Sequence, residues 1–229
     1  MKGRDVEIEI VADEREVGLL VAGRLAELAR IGGSVVLSGG STPRVAYQLA
    51  VELEPDWSRV ELWWGDERCV PPDDKASNYE MAKRALLDRL EQPPAAVHRI
   101  EGELGRDDGA AEYKLELTEA GVFDLVLLGL GPDGHIASLF PNFPTLDVTN
   151  RDVVGSEAGH EPFIDRISMT LPRLCRTHEL LFLVAGEGKA DAVARTLNGP
   201  PSRDTPGSLA RASEGKTRAV LDQAAASKL

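Results

Sequence analysis

The chain has 229 residues, 42% of them hydrophobic and 28% charged, a globular composition long enough to bury a core, and we expect one domain over residues 1–229. Its formal net charge of −12 argues against nucleic acid or an anionic membrane as a partner. No apolar run approaches the roughly 20 residues of a membrane helix and the charged N-terminus lacks a signal-peptide core, so we expect a cytoplasmic protein.

Strands and helices alternate along the chain. The apolar pattern predicts, in chain order, strand 6–11, helix 14–30, strand 34–38, helix 43–52, strand 60–64, helix 78–90, helix 110–119, strand 123–128, strand 166–170, strand 180–185, helix 189–197, loop 198–208 and strand 217–221. Ser77 or Asn78 is the predicted cap of the helix at 78–90. Strands that are apolar on both faces, alternating with amphipathic helices, predict an α/β fold with a mainly parallel sheet covered on both sides.

Four of these strands lead directly into loops of unusual composition. The loops are SGGSTP at 38–43, GDER at 65–68, GLGPDGH at 129–135 and GEGK at 186–189. In an open parallel sheet, ligands bind beyond the carboxyl ends of the strands. We therefore expect the four loops to meet at one edge of the sheet.

The SGGSTP loop predicts an anion site suited to phosphate. Gly39 and Gly40 let the backbone approach a ligand. The amides at the helix start, with the hydroxyls of Ser41 and Thr42, would hold the anion. A tight turn in which Ser or Thr only caps the helix explains the motif equally well.

Two basic residues are candidates for a second phosphate contact. Lys189 stands in the first turn of a helix, where its charge opposes the helix dipole; the alternative is a solvated lysine. Arg68 can bind a phosphate through its forked guanidinium; the alternative is a surface salt-bridge cluster. Asp66, directly after its strand, is the better candidate of the GDER loop for a buried role.

The GLGPDGH loop predicts a general base. Histidine is the usual general base of enzymes, and Asp133, two residues before His135, can orient the His135 ring. The alternative is a structural histidine bonded to a backbone carbonyl. His98, His160 and His178 lie outside such loops and are interpreted as structural.

The two cysteines, Cys69 and Cys175, lie far apart and have no metal-ligand spacing. We therefore expect two unpaired thiols and no zinc site.

Together these segments resemble the 6-phosphogluconolactonase family. The segments that carry the resemblance are, in chain order, SGGSTP, WWGDERCVPPDDKASNYEMA, GLGPDGHIASLFP and GEGK. It extends from Val35 to about Lys189, and residues 206–209 show a weaker similarity. It implies the three-layer, Rossmann-like α/β fold shared with glucosamine-6-phosphate deaminase. It also implies hydrolysis of 6-phospho-D-glucono-1,5-lactone without a cofactor or metal. We expect a monomer or small homo-oligomer.

The resemblance also implies roles for individual residues. His135 would activate water, and Asp133 would orient or polarise the site. Asp66 matches the catalytic aspartate of the deaminase, and its role here stays open. The residues that fall where related enzymes place ligand-binding groups are Ser41, Thr42, Arg68, Arg166 and Lys189.

Two alternatives remain open. A deaminase continues its histidine loop with an apolar–Asn–Glu–Pro segment, but this chain continues with IASLFP and lacks that glutamate. A non-catalytic sugar-phosphate sensor would carry a helix-turn-helix at one end, whereas this chain opens with α/β elements and is strongly acidic. The C-terminal segment PSRDTPGSLARASEGK also differs from the usual sequence of the family in that region, which leaves the contacts of the segment open.

Overall fold

The computed structural model describes residues 6–158 and 163–229. The strands are β1 (Val6–Val11), β2 (Gly33–Leu37), β3 (Val60–Trp64), β4 (Asp66–Arg68), β5 (Ala96–His98), β6 (Leu125–Leu128), β7 (Val153–Ser156), β8 (Arg166–Met169), β9 (Glu179–Val184) and β10 (Lys216–Asp222). The helices are α1 (Glu14–Ile31), α2 (Ser41–Leu53), α3 (Asn78–Ala85), α4 (Arg106–Leu117), α5 (Leu171–Cys175) and α6 (Ala190–Leu197). Short 3-10 turns occur at Leu87–Arg89, Gly102–Leu104, Pro144–Asp147, Glu187–Lys189 and Pro206–Leu209.

The main sheet has seven parallel strands in the order β1-β10-β9-β6-β2-β3-β5. Its central strands β6 and β9 are buried along their whole length. Strands of this kind need helices over both faces, and their apolar runs are what made them recognisable in the sequence. The predicted mainly parallel α/β fold is confirmed.

Local signals fix the first helix. Asp13 caps α1 by accepting a hydrogen bond of 2.9 Å from the backbone N–H of Glu16. Gly32 ends it with φ 91°, a left-handed conformation that favours glycine. Val17, Val21 and Leu25 on its buried face pack into the core. Among the described residues, every helix is too short or too polar to cross a bilayer.

A second, smaller sheet differs from the sequence-based expectation. Residues 166–170 were predicted as one more strand of the α/β pattern, but β8 pairs antiparallel with β4 and β7. The GDER segment, predicted as a loop, supplies β4. Because β4 follows β3 after a single residue, Gly65, this small sheet stands directly beside the carboxyl edge of the main sheet.

The remaining boundaries shift by a few residues. The helix predicted at 78–90 ends as α3 at Ala85 and continues as a 3-10 turn. The helix predicted at 43–52 begins at Ser41, so the last residues of the SGGSTP loop form its first turn.

Candidate active site

A cleft of about 230 Å³ opens where the main sheet meets the small sheet. The four loops meet there, as predicted. Residues of the predicted site that line it are Gly39, Gly40, Ser41, Thr42, Asp66, Arg68, His135, Arg166 and Lys189. Asp133 does not line the cleft itself but is paired with the His135 ring, which does.

His135 and Asp133 form a close pair. The distance between His135 Nδ1 and Asp133 Oδ1 is 2.6 Å, and the backbone N–H of His135 donates to the same oxygen at 3.1 Å. The His135 side chain is 26% exposed, and its ring centroid lies 5.0 Å from that of Phe140. A carboxylate at Nδ1 accepts the proton of that nitrogen, so Nε2 carries the lone pair that a general base needs.

The histidine loop is shaped around this pair by glycine. The N–H of Gly131 donates to the carbonyl of His135, and the N–H of Gly134 donates to the carbonyl of Gly131, both at 2.9 Å. A Cβ on Gly131 would lie 2.6 Å from Asp133 Oδ1 and closer still to the His135 ring. Position 131 therefore has no room for a side chain while the two residues are paired.

The C-terminal segment supports the same loop from outside. The N–H of Gly207 donates to the carbonyl of Gly134 at 2.9 Å. Arg195, on α6, donates from Nη2 to the carbonyl of Pro132 (3.3 Å) and from Nε to the hydroxyl of Thr205 (3.2 Å). The contacts that the sequence left open at 198–216 thus include the outer wall of the histidine loop.

The SGGSTP loop presents a bare helix N-terminus to the cleft. Gly40 stands at the N-cap position of α2 with φ 114°, and no side chain of the described residues caps the helix. Tyr47 fixes the preceding turn, since its hydroxyl accepts from the N–H of Ser38 (2.9 Å) and donates to its carbonyl (2.8 Å). The uncapped amides carry the positive end of the helix dipole and suit an anion.

The two hydroxyls of this loop that were predicted to hold an anion differ. Ser41 is exposed at the cleft. Thr42 is buried, and its hydroxyl donates to Glu14 Oε1 on α1 at 2.9 Å. The proton of Thr42 therefore points to a protein carboxylate, and what Thr42 can offer an anion is its backbone amide.

Arg68 and Arg166 form a pair of neighbouring guanidiniums at the cleft. They face each other across the β4–β8 ladder. Both Nε atoms are buried with no hydrogen-bond partner among the described residues. Burial, followed by the charge of Arg68, lowers the pKa of Arg166 from its usual range. A buried and a half-buried guanidinium with spare donors constitute a site that an anion would stabilise.

Lys189 is held at the other side of the cleft. The carboxylate of Asp222, at the end of β10, accepts from the N–H of Gly186 at 3.0 and 2.9 Å, which anchors the turn before Lys189. Gly186 itself has φ 97°. Burial lowers the pKa of Lys189, and the nearby charge of Asp133 opposes this shift.

Asp66 and Glu67 are buried but have different partners. Glu67 accepts from the N–H groups of Arg68, Asn78 and Tyr79 and from the hydroxyl of Ser77, at 2.7–2.9 Å. It thereby closes the N-terminus of α3, and burial raises the pKa of its carboxyl against these donors.

Asn78 is a cleft residue that sequence reasoning missed. The side chain that caps α3 is that of Ser77, which accepts from the N–H of Glu80 at 3.1 Å. Asn78 is free of that role, and its Nδ2 donates to the carbonyl (2.9 Å) and to Oδ1 (3.3 Å) of Asp66. A Cβ on Gly39 would collide with the Asn78 amide, so this position of the Asn78 side chain requires glycine at residue 39 of the SGGSTP loop.

Two of the other histidines lie away from the cleft. His98 stacks on Trp63 with 3.7 Å between ring centroids, and its Nδ1 lies 2.8 Å from Glu116. His178 Nδ1 lies 3.5 Å from the carbonyl of Glu214. His160 lies outside the described residues. Cys69 and Cys175 are free thiols.

Known proteins resemble the chain over nearly its whole length. A family model described as glucosamine-6-phosphate isomerases/6-phosphogluconolactonase matches residues 15–219. A 6-phosphogluconolactonase from Streptomyces coelicolor is 39% identical over 240 residues, which cover 96% of this chain and 91% of the relative. One from Mycobacterium tuberculosis is 39% identical over 234 residues, or 95% of this chain and 92% of the relative.

Solved structures agree with the fold. The crystal structure of 6-phosphogluconolactonase from Thermotoga maritima matches with a TM-score of 0.84 and 28% identity, covering 95% of this chain and all (100%) of the other. A monomeric glucosamine-6-phosphate deaminase matches with a TM-score of 0.85 over 98% of this chain and 100% of its own, but at 20% identity that likeness concerns the fold alone. On the family model and the identity to these relatives, the chain belongs to the glucosamine-6-phosphate isomerase/6-phosphogluconolactonase family.

Proposed function

We propose that the chain is a cytoplasmic 6-phosphogluconolactonase, which hydrolyses 6-phospho-D-glucono-1,5-lactone to 6-phospho-D-gluconate in the oxidative part of the pentose phosphate pathway. The observation that carries the proposal is that the candidate base, His135, and a candidate phosphate ligand, Arg166, both lie against the ring of Phe140. His135 packs on Phe140 at 5.0 Å, and the guanidinium carbon of Arg166 lies 5.6 Å from the centre of the same ring. A base and an anion site thus share one cleft.

The base side supports hydrolysis by activated water. With Nδ1 bound to Asp133, Nε2 of His135 takes a proton from water as the water oxygen attacks C1 of the lactone. Asp133 stabilises the imidazolium that forms. When the tetrahedral intermediate collapses, the bond between C1 and the ring oxygen breaks, and His135 returns its proton to that oxygen. A δ-lactone is an activated ester, so the mechanism includes no covalent nucleophile and no cofactor.

The anion side supports a phosphorylated substrate. Arg68, Arg166, Lys189 and the bare N-terminus of α2 converge on the cleft of an otherwise acidic protein. A phosphate dianion would compensate the two neighbouring guanidiniums and accept from their spare donors. Holding the phosphate fixes C1 relative to His135, and such positioning accounts for much of the rate of enzymes that act on small anchored substrates.

The residues after His135 favour the lactonase over the deaminase. The segment Ile136–Phe140 contains no carboxylate, and the buried hydroxyl of Ser138 occupies the space beside Asp66. Opening of an amino sugar by a glutamate of this loop therefore has no counterpart here.

The test is consumption of freshly generated 6-phosphogluconolactone, corrected for spontaneous hydrolysis. We expect turnover by the wild-type chain, a loss of about 10²–10⁴ in kcat for His135→Ala with KM little changed, and much weaker turnover of unphosphorylated gluconolactone. His98→Ala is the matched control, because His98 is also paired with a carboxylate but lies outside the cleft. A fully active His135→Ala protein refutes the base. Ammonia release from glucosamine 6-phosphate would favour the deaminase instead.

A further inference from the structure

The turn that follows His135 has an unusual backbone. Ala137 lies in the left-handed region with φ 47°, which is uncommon for a residue other than glycine. The turn is closed by the N–H of Leu139, which donates to the carbonyl of Ile136 at 2.9 Å. Ala137 lines the cleft next to His135. Such a conformation persists where the surrounding structure fixes it.

Ser138 supplies the contacts that fix this turn. It is completely buried, at 0% exposure. Its hydroxyl donates to Asp66 Oδ2 at 2.6 Å, and its backbone N–H donates to the hydroxyl of Ser168 at 3.3 Å. Asp66 and Ser168 face each other in the β4–β8 ladder, so Ser138 docks the histidine loop onto a single pair of residues of the small sheet.

The same ladder carries the two guanidiniums. Arg68 lies two residues after Asp66 on β4, and Arg166 lies two residues before Ser168 on β8. Side chains two residues apart on a strand leave the same face of a sheet. The pair that receives Ser138 and the pair that would bind phosphate are therefore neighbours on one face.

We infer that Ser138 is a positioning residue that sets the distance between the base and the phosphate site. His135 belongs to a loop of the main sheet, whereas Arg68 and Arg166 belong to the small sheet, and the Ser138 hydroxyl joins the two through Asp66. Asp66 is then the acceptor that holds the loop. This inference rests on the proposed function, since it concerns the spacing between that base and that anchor.

The decisive measurement is the preference for a phosphorylated substrate. Ser138→Ala removes the hydroxyl and leaves His135 and both arginines in the chain. We expect kcat on 6-phosphogluconolactone to fall about 10- to 100-fold with KM changed much less. Turnover of unphosphorylated gluconolactone should fall less, because a substrate without the anchor does not depend on the spacing. The ratio of kcat/KM for the two lactones therefore decreases, which a general loss of stability would not cause.

Ser34→Ala is the matched control. The hydroxyl of Ser34 also donates to an aspartate, Asp124, at 3.1 Å, but at the opposite end of the main sheet. We expect it to lower Tm and to leave the ratio of the two lactones unchanged. A Ser138→Ala protein with wild-type kcat, or with an equal loss on both lactones, overturns the inference.

Ser168→Ala is a second variant, which tests the same inference if the Ser138→Ala protein does not fold. Ser168→Ala removes the acceptor of the Ser138 amide and carries the same expectation, so an unchanged ratio in that protein also overturns the inference. Failure of the proposed function is visible separately, since the wild-type chain would then show no turnover above the spontaneous rate.

Discussion

Gly131→Ala tests the His135–Asp133 pair without removing any polar group. The new methyl would lie 2.6 Å from Asp133 Oδ1 and closer to His135 Nδ1, whereas ordinary contacts of a Cβ begin at 3.4 Å. Both clashing atoms end flexible side chains, so the backbone can remain in place while the ring and the carboxylate move apart. The variant should therefore fold and should displace the imidazole.

The size of the effect follows from that displacement. Relief of the overlap moves the imidazole by about 1 Å, and a misplacement of that size costs about 100-fold in rate. This corresponds to about 2.7 kcal/mol of transition-state stabilisation. KM should change little, because the anion side of the cleft is untouched. Replacement of glycine by alanine also lowers the entropy of the unfolded chain, which offsets part of any loss of stability.

The assay is kcat for 6-phosphogluconolactone together with a thermal melt of each protein. Gly129→Ala is the matched control in the same loop, since its Cβ would meet no atom closer than 3.6 Å, and it should keep most of kcat. Wild-type kcat in a folded Gly131→Ala protein would refute the catalytic role of the pair. Equal losses in both variants would mean that the loop, and not the pair, is what the substitution disturbs.

Two further predictions concern charge. Burial lowers the pKa of Lys189, so as the pH rises Lys189 loses its charge before the pH reaches the usual lysine pKa near 10.4. The Kd of 6-phosphogluconate should increase over that pH range. Lys189→Arg, which stays protonated, should remove the increase. Glu67→Ala removes the buried acceptor of four hydrogen-bond donors. We expect the free energy of unfolding to fall by about 3 kcal/mol, which corresponds to a decrease of roughly 6–12 °C in Tm. The exposed Glu61→Ala should stay within about 0.5 kcal/mol of wild type, and a similar loss in both would contradict the buried-cap argument.

The parts of the site that the sequence predicted are local in the chain. The GLGPDGH and SGGSTP loops each follow an apolar strand directly, and their glycines and prolines predict a turn. Because all parallel strands end at the same edge, their convergence could be predicted without knowing the strand order.

The small sheet could not be predicted in the same way. β4 has three residues, all polar, and shows no alternation that would mark a strand. Its pairing of Asp66 with Ser168 joins segments about a hundred residues apart in sequence, and nothing local in either segment encodes the partner. The role of Ser138, which depends on that pairing, was hidden for the same reason.

Side-chain direction was the other limit. Ser77 and Asn78 are both good helix caps, and only the structure assigns the cap to Ser77 and turns Asn78 toward Asp66. Thr42 was predicted to offer its hydroxyl to a ligand, but Glu14 on a separate helix accepts that proton.

The division of the cleft between two sheets has a consequence for how such a site can change. His135 stands on a loop of the main sheet, whereas Arg68 and Arg166 stand on the small sheet, and Ser138 joins the two through Asp66. Substitutions of Arg68 and Arg166 that leave Asp66 and Ser168 in place can therefore alter the anion side of the cleft while the His135 loop keeps its docking contacts. A fold built in this manner can acquire new substrates stepwise, through substitutions in one sheet at a time.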